Sequence, residues 1–215
     1  MLLPGRWWRG ILLWNSREGE KLMVRIRSQI GGHVRGLRSR RRLAQLSSLG
    51  EGTVVHPTAR LRFPSRIQIG NSVRIGAHCH LDGEGGLVIG DGSILAPHVV
   101  ILTSSHNYLS GHLIPYDEQD KLQCVVVGAG SWFGWGASVA PGAVLGRGCI
   151  VAMRAHVVGA FEDLSIVGGN PARVIGSRPT EHLRLVEEGR FFLSAVRDGL
   201  VRPHRPGANI RRWMT

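Results

Sequence analysis

The chain has 215 residues, 30 of them glycine, and a formal net charge of +12. That length supports one sizeable core with flanking pieces, and so much glycine suits a chain that turns a corner every few residues. Cys79, Cys124 and Cys149 form no CxxC pair or disulfide framework, and no apolar run approaches the ~20 residues of a membrane span, so a disulfide-stapled secreted fold and a spanning helix are both excluded as readings.

Residues 1–50 carry eleven Arg/Lys against two Glu, most of the positive excess. Leu22, Ile26, Ile30 and Val34 are spaced for one helical face, which Gly31, Gly32 and Gly36 weaken. Trp7, Trp8 and Trp14 stand among Arg6, Arg9, Arg17 and Lys21, ahead of Arg38–Arg42. Aromatics interleaved with cations suit contact of residues 1–45 with an anionic membrane surface or an acidic partner enzyme, and equally a solvated arm packed on its own assembly. No nucleic-acid-binding motif accompanies them, so nucleic acid is not an expected partner. Ile11–Trp14 is too short for a signal-peptide core. The expected location is cytoplasmic, extended to the inner face of the membrane if the arm binds lipid.

Beyond residue 50 apolar residues recur every six places, with two-residue shifts: Val55, Leu61, Ile67; Ile69, Ile75, Leu81, Leu87; Ile89, Leu95, Ile101. The pattern vanishes from Asn107 to Gln123, a polar stretch that includes Asp117–Asp120. It resumes as six unbroken hexads anchored on Val127, Phe133, Val139, Leu145, Val151 and Val157. A small or apolar residue follows each anchor, and Ser131, Ala137, Ala143, Cys149, Ala155 and Phe161 stand four places on. A period of six fits neither a helix nor a simple alternating strand; it is the repeat of a β-solenoid, with anchors and their +4 residues inward. Three hexads per turn predict about five coils. Ser105 falls on an inward position, which turns His106 outward. Residues 165–172 close the repeat with turn residues, 180–199 read as one amphipathic helix capped by Thr180, and 202–215 as a basic tail. The expected organisation is an N-terminal segment (1–50), a solenoid domain (51–176) with an excursion at 107–124, and a C-terminal helix and tail (177–215).

Four pieces of this sequence carry a resemblance. They are Ile89–Pro97 leading to Thr103-Ser104-Ser105-His106-Asn107-Tyr108; the loop directly after that histidine; Val127–Gly134 followed by Pro141-Gly142 and Gly146; and Gly168–Ile175. In order and spacing they resemble the hexapeptide acyltransferases, left-handed parallel β-helices, and among these the sugar O-acetyltransferases. The resemblance implies a homotrimer, acetyl-CoA as acyl donor, no metal, and a sugar, glycolipid or polysaccharide precursor as acceptor. It implies His106 as general base, which an imidazole of ordinary pKa near 6.5 can be. It places Trp135, Met153, Val158, Gly159 and Arg173 along the donor groove, with the Trp135 N–H as oxyanion donor. Relatives often carry a Thr-Lys pair where this chain has Val158-Gly159, so Arg154, Arg173 or Arg178 has to supply the phosphate-binding cation.

For the acceptor, Asp82, Glu84 and Asn107 are the candidates. Asp82 or Glu84 could also orient His106 or be a plain polar corner residue, and Asp117 and Glu118 are weaker candidates for the pocket. Two alternatives accompany this reading. One is a non-catalytic scaffold or membrane-surface binder, motivated by the cationic arm. The other is a zinc β-helix carbonic anhydrase using His80, His106 and His112.

Overall fold

The computed structural model describes Arg41 and residues 43–201. The readings of the arm's helix, its tryptophans and its partners, and of the tail after Arg202, fall outside these residues.

The hexads fold as a parallel β-solenoid of six coils rather than five. Coil 1 comprises β1 (Ser48–Leu49), β2 (Val54–Val55) and β3 (Arg60–Arg62). Coil 2 comprises β4 (Ile67–Ile69), β5 (Arg74–Ile75) and β6 (His80–Asp82), and coil 3 β7 (Leu87–Ile89), β8 (Ile94–Leu95) and β9 (Val100–Ile101). A hairpin, β10 (Ser104–His106) and β11 (Asp120–Leu122), then leaves the stack. Coil 4 follows as β12 (Val125–Val127), β13 (Trp132–Phe133) and β14 (Ser138–Val139), and coil 5 as β15 (Val144–Leu145), β16 (Ile150–Val151) and β17 (His156–Val157). Coil 6 has β18 (Ala160–Phe161) and β19 (Ser165–Gly169), on which β20 (Ala172–Ser177) folds back antiparallel. The extra coil arises at the ends: β1 already pairs with β4, before residue 51, and the Phe161 and Val167 positions continue the stack beyond the regular run.

The first, second and third strands of successive coils stack into three sheets, A, B and C, separated by corners A/B, B/C and C/A. All six anchors from Val127 to Val157 are buried, as are Ser131, Ala137, Ala143, Cys149 and Ala155. The small residue after each anchor has a steric cause. A Cβ on Gly134, for instance, would lie 2.5 Å from the Met153 nitrogen of the next coil. Despite the excursion, Leu87 of β7 still pairs with Val125 of β12, so coil 4 stacks on coil 3 as if the chain had never left.

The C-terminal region holds two short helices, α1 (Glu181–Glu187) and α2 (Phe192–Arg197), instead of one. Gly189, at φ +65°, ends the first; its N–H donates to Val186 O and that of Arg190 to Leu185 O. Phe191 is extended and starts the second. Thr180 is itself helical and makes no side-chain cap bond.

Candidate active site

His106 ends β10 directly opposite Asp120 of β11, in the register Ser104↔Leu122, Ser105↔Lys121, His106↔Asp120. Facing side chains on paired antiparallel strands are close neighbours, and here His106 Nδ1 lies 2.7 Å from Asp120 Oδ1. An ionised carboxylate only accepts, so Nδ1 carries the hydrogen and Nε2 keeps a free lone pair. Tyr116 stacks on the imidazole, its ring centroid 4.0 Å away and 13° from parallel. The imidazole is thus tethered on one nitrogen, covered on one face, and more than half exposed (58%).

His106 points outward for a different reason from the one the hexad count supplied. Ser105 is exposed, because β10 has already left the coil; the inward residue is Thr103, fully buried. Thr103 belongs to the root of the hairpin, and Asp82 lies against it. The Asp82 carboxylate is fully buried and takes contacts from the Thr103 N–H (3.4 Å) and the Ser104 hydroxyl (3.1 Å). The Thr103 hydroxyl reaches the Asp82 backbone carbonyl at 3.1 Å, and Ser104 also reaches Glu84 Oε2 at 2.9 Å. Asp82 therefore faces the hairpin root rather than solvent or His106, and Glu84 joins it there, partly exposed.

Asn107, half-buried, donates from its side-chain amide to Asp117 Oδ2 at 2.6 Å. The Gln119 N–H donates to Asp117 Oδ1 at 2.9 Å. That backbone bond, opposed by desolvation and helped by Asn107 and Ser110, holds the Asp117 carboxyl below its ordinary value. Asn107 and Asp117 thus clasp the loop across its base. Asp120 is the partner of His106 that the sequence reading missed. Its signal was present as polar residues flanking both ends of the excursion, but only the hairpin register makes His106 and Asp120 partners.

The residues assigned to the donor groove divide between two corners. Val158 and Gly159 lie on corner C/A, the corner from which the His106 hairpin emerges two coils earlier. Trp135 and Met153 lie on corner B/C, both exposed. There Arg154 sits over the Trp135 ring at 5.0 Å, and His98 and His78 extend the column at 5.1 Å spacings. Arg173 is exposed on β20 and lines a cleft of about 570 Å³ together with Val158, Phe161 and Val174. Arg178, the third candidate cation, lines a different cleft under α1 and α2. His80, His106 and His112 are not gathered: the described residues contain no group of three His, Cys, Asp or Glu placed to hold a metal ion. No helix among them is long and apolar enough to cross a membrane.

No family model matches the chain. Nodulation protein L of Rhizobium leguminosarum bv. viciae is 31% identical over 135 residues, which span 61% of this chain and 68% of that protein. The chain belongs to the hexapeptide-repeat acyltransferase family. WcaF of Escherichia coli strain K12, named for a colanic acid biosynthesis acetyltransferase, is 26% identical to this acyltransferase over 132 residues, 61% of the chain and 70% of WcaF. The hexapeptide-repeat acetyltransferase VCA0836 of Vibrio cholerae O1 biovar eltor, solved with acetyl coenzyme A, superimposes with a TM-score of 0.59 at 25% identity, over 76% of this chain and 91% of that one.

Proposed function

We propose that this acyltransferase moves an acetyl group from acetyl-CoA to a hydroxyl of a sugar, in a glycolipid or polysaccharide precursor, with His106 as general base. The observation that carries the reading is the His106–Asp120 contact, which orients a free imidazole Nε2 outward from an exposed hairpin. In the reaction Nε2 takes the acceptor's hydroxyl proton as its oxygen attacks the thioester carbonyl. Asp120 stabilises the imidazolium that forms. A backbone N–H, for which Trp135 is the candidate, holds the developing oxyanion; collapse expels the CoA thiolate, which recovers the proton from Nε2. The acetyl-CoA donor is supported by the acetyl-CoA complex of VCA0836, and the acceptor class by the name of WcaF.

His106 and Trp135 occupy different corners, so a complete site needs a second copy of the chain, consistent with the homotrimer that the family resemblance implies. In this arrangement the hairpin of one copy meets corner B/C of its neighbour. Arg154 and Arg173, one on each side of the division, are the cations available for the donor's phosphates in place of the absent Lys. Asp82 and Glu84 hold the hairpin root, and Asn107 clasps the loop, so that Glu118 and the loop's free polar groups remain for the acceptor.

Thiol release from acetyl-CoA, measured against a panel of sugars and nucleotide sugars, tests this reading. At least one acceptor should stimulate release, and His106→Ala should lower that rate about 10²–10⁴-fold with folding unchanged. Equal turnover in the variant would remove the proposed base. Sedimentation at the mass of a single chain under assay conditions would remove the shared site.

A further inference from the structure

On the opposite side from the hairpin, α1 and α2 lie over sheet B and corner A/B. A cleft of about 350 Å³ separates them, within the range of small-ligand sites. Its lining includes Arg178, His182 and Arg190, two half-exposed aromatic rings, Trp132 and Phe192, and Gly130 at a corner turn. No acidic residue lines it.

Of the two arginines in the cleft, Arg190 is loosely paired with Glu188 at 3.9 Å, whereas Arg178 has no ion-pair partner among the described residues. Arg178 is partly buried, its Nε fully so and without a hydrogen-bond partner. Burial pushes the guanidinium down from its ordinary value, against a smaller opposing effect from Cys149, yet an arginine stays charged. Nearby carboxylates are engaged elsewhere. Asp163 and Glu187 both bind Arg147, at 2.6 and 3.1 Å. Glu188 is shared by Arg184 at 3.6 Å and Arg190 at 3.9 Å. A partly buried guanidinium with no carboxylate beside it favours an anion. A planar guanidinium fork matches a phosphate, and flat rings beside it match a base.

We propose that this cleft is a second ligand site that binds a nucleoside diphosphate, its phosphates on Arg178 and Arg190 and its base against Trp132 and Phe192. The site is separate from the donor groove proposed above and does not depend on it.

Calorimetric titration of the full chain, saturated with coenzyme A, tests it with ADP, UDP, pyrophosphate and adenosine as probes. Both diphosphonucleosides and pyrophosphate should bind, pyrophosphate more weakly, and adenosine should not. Arg178→Met should weaken the diphosphates about 10- to 100-fold, and surface-exposed Arg190→Met, which leaves the fold unthreatened, about tenfold. Trp132→Ala should weaken ADP but leave pyrophosphate unchanged. The acetyl-CoA KM should be the same in Arg190→Met and Trp132→Ala. Displacement of ADP by coenzyme A, or equal ADP affinity in Arg190→Met, would overturn the proposal. Failure of acetyl transfer alone would bear on the hairpin and leave these titrations as they are.

Discussion

Coils 4 and 5 and the hairpin that precedes them are built on opposite terms. In the coils each inward side chain meets its equivalent one turn away, so Phe133, Val139, Leu145, Val151 and Val157 are all buried and every strand pairs in parallel. In the hairpin the pairing is antiparallel, β11 is exposed at all three residues, and the contacts are polar: His106 with Asp120, Asn107 with Asp117, Ser104 with Asp82. The coils are held by area removed from water, which is forgiving of direction but not of volume. The hairpin is held by a few oriented hydrogen bonds, which place single atoms but add little stability each. The difference separates the part that keeps the molecule folded from the part that presents the proposed base.

Four changes should break that separation or make it sharper. The most drastic replaces residues 105–121 by Asn-Gly. Ser104 and Leu122 are paired in the native register, so a two-residue turn can join them. Acyl transfer should vanish while the circular-dichroism spectrum and melting temperature stay near those of the parent; loss of the cooperative melt would show that the coils depend on the hairpin. The converse change, Phe133→Ala, should cost about 3–5 kcal/mol in denaturant unfolding. Activity per folded molecule should hardly move. A stability loss under 1 kcal/mol would contradict the packing described.

A subtler change is Asp120→Asn, which keeps the shape but removes the carboxylate that sets the imidazole's tautomer. It should lower turnover about 10- to 100-fold with little change in acceptor KM, measured by thiol release; unchanged turnover would reduce Asp120 to a surface neighbour. The smallest effect concerns Asp117. Its folded-state pKa lies below the ordinary carboxylate value, so its contribution to the loop is complete above that value, near 3.9, and is lost as pH falls through the lower folded pKa. The Gln119 amide resonance should therefore titrate with a midpoint below about 3.9. A midpoint at or above it would mean the clasp does not form in solution.

The coils were legible because a six-residue period states the packing directly: each anchor is followed by a residue small enough for the next coil's backbone, and Gly134 against Met153 shows why. The coil count slipped at the ends, where Ser48–Leu49 carries no anchor before it to reveal membership. The C-terminal helix was legible as apolar periodicity but not as two pieces, since the break depends on the left-handed backbone of Gly189. His106 was visible through resemblance, whereas Asp120 was not, because an antiparallel register is set by how a long polar loop closes and not by local spacing. Asp82 looked like a site residue by its chemistry; its complete burial against Thr103 appears only when the coil stacks.

One feature at the far end acts on what this molecule does in a crowd. A parallel solenoid ends in open backbone, the edge on which a further parallel coil would pair. On sheet B, β20 lies antiparallel against β19 from Ser165↔Ser177 to Gly169↔Ala172, with an irregularity between Ile166 and Val167. An antiparallel, bulged last strand offers the wrong polarity for parallel stacking. The Gly168–Ile175 turn that carries the family resemblance in sequence thereby leaves sheet B ending on a strand of reversed direction.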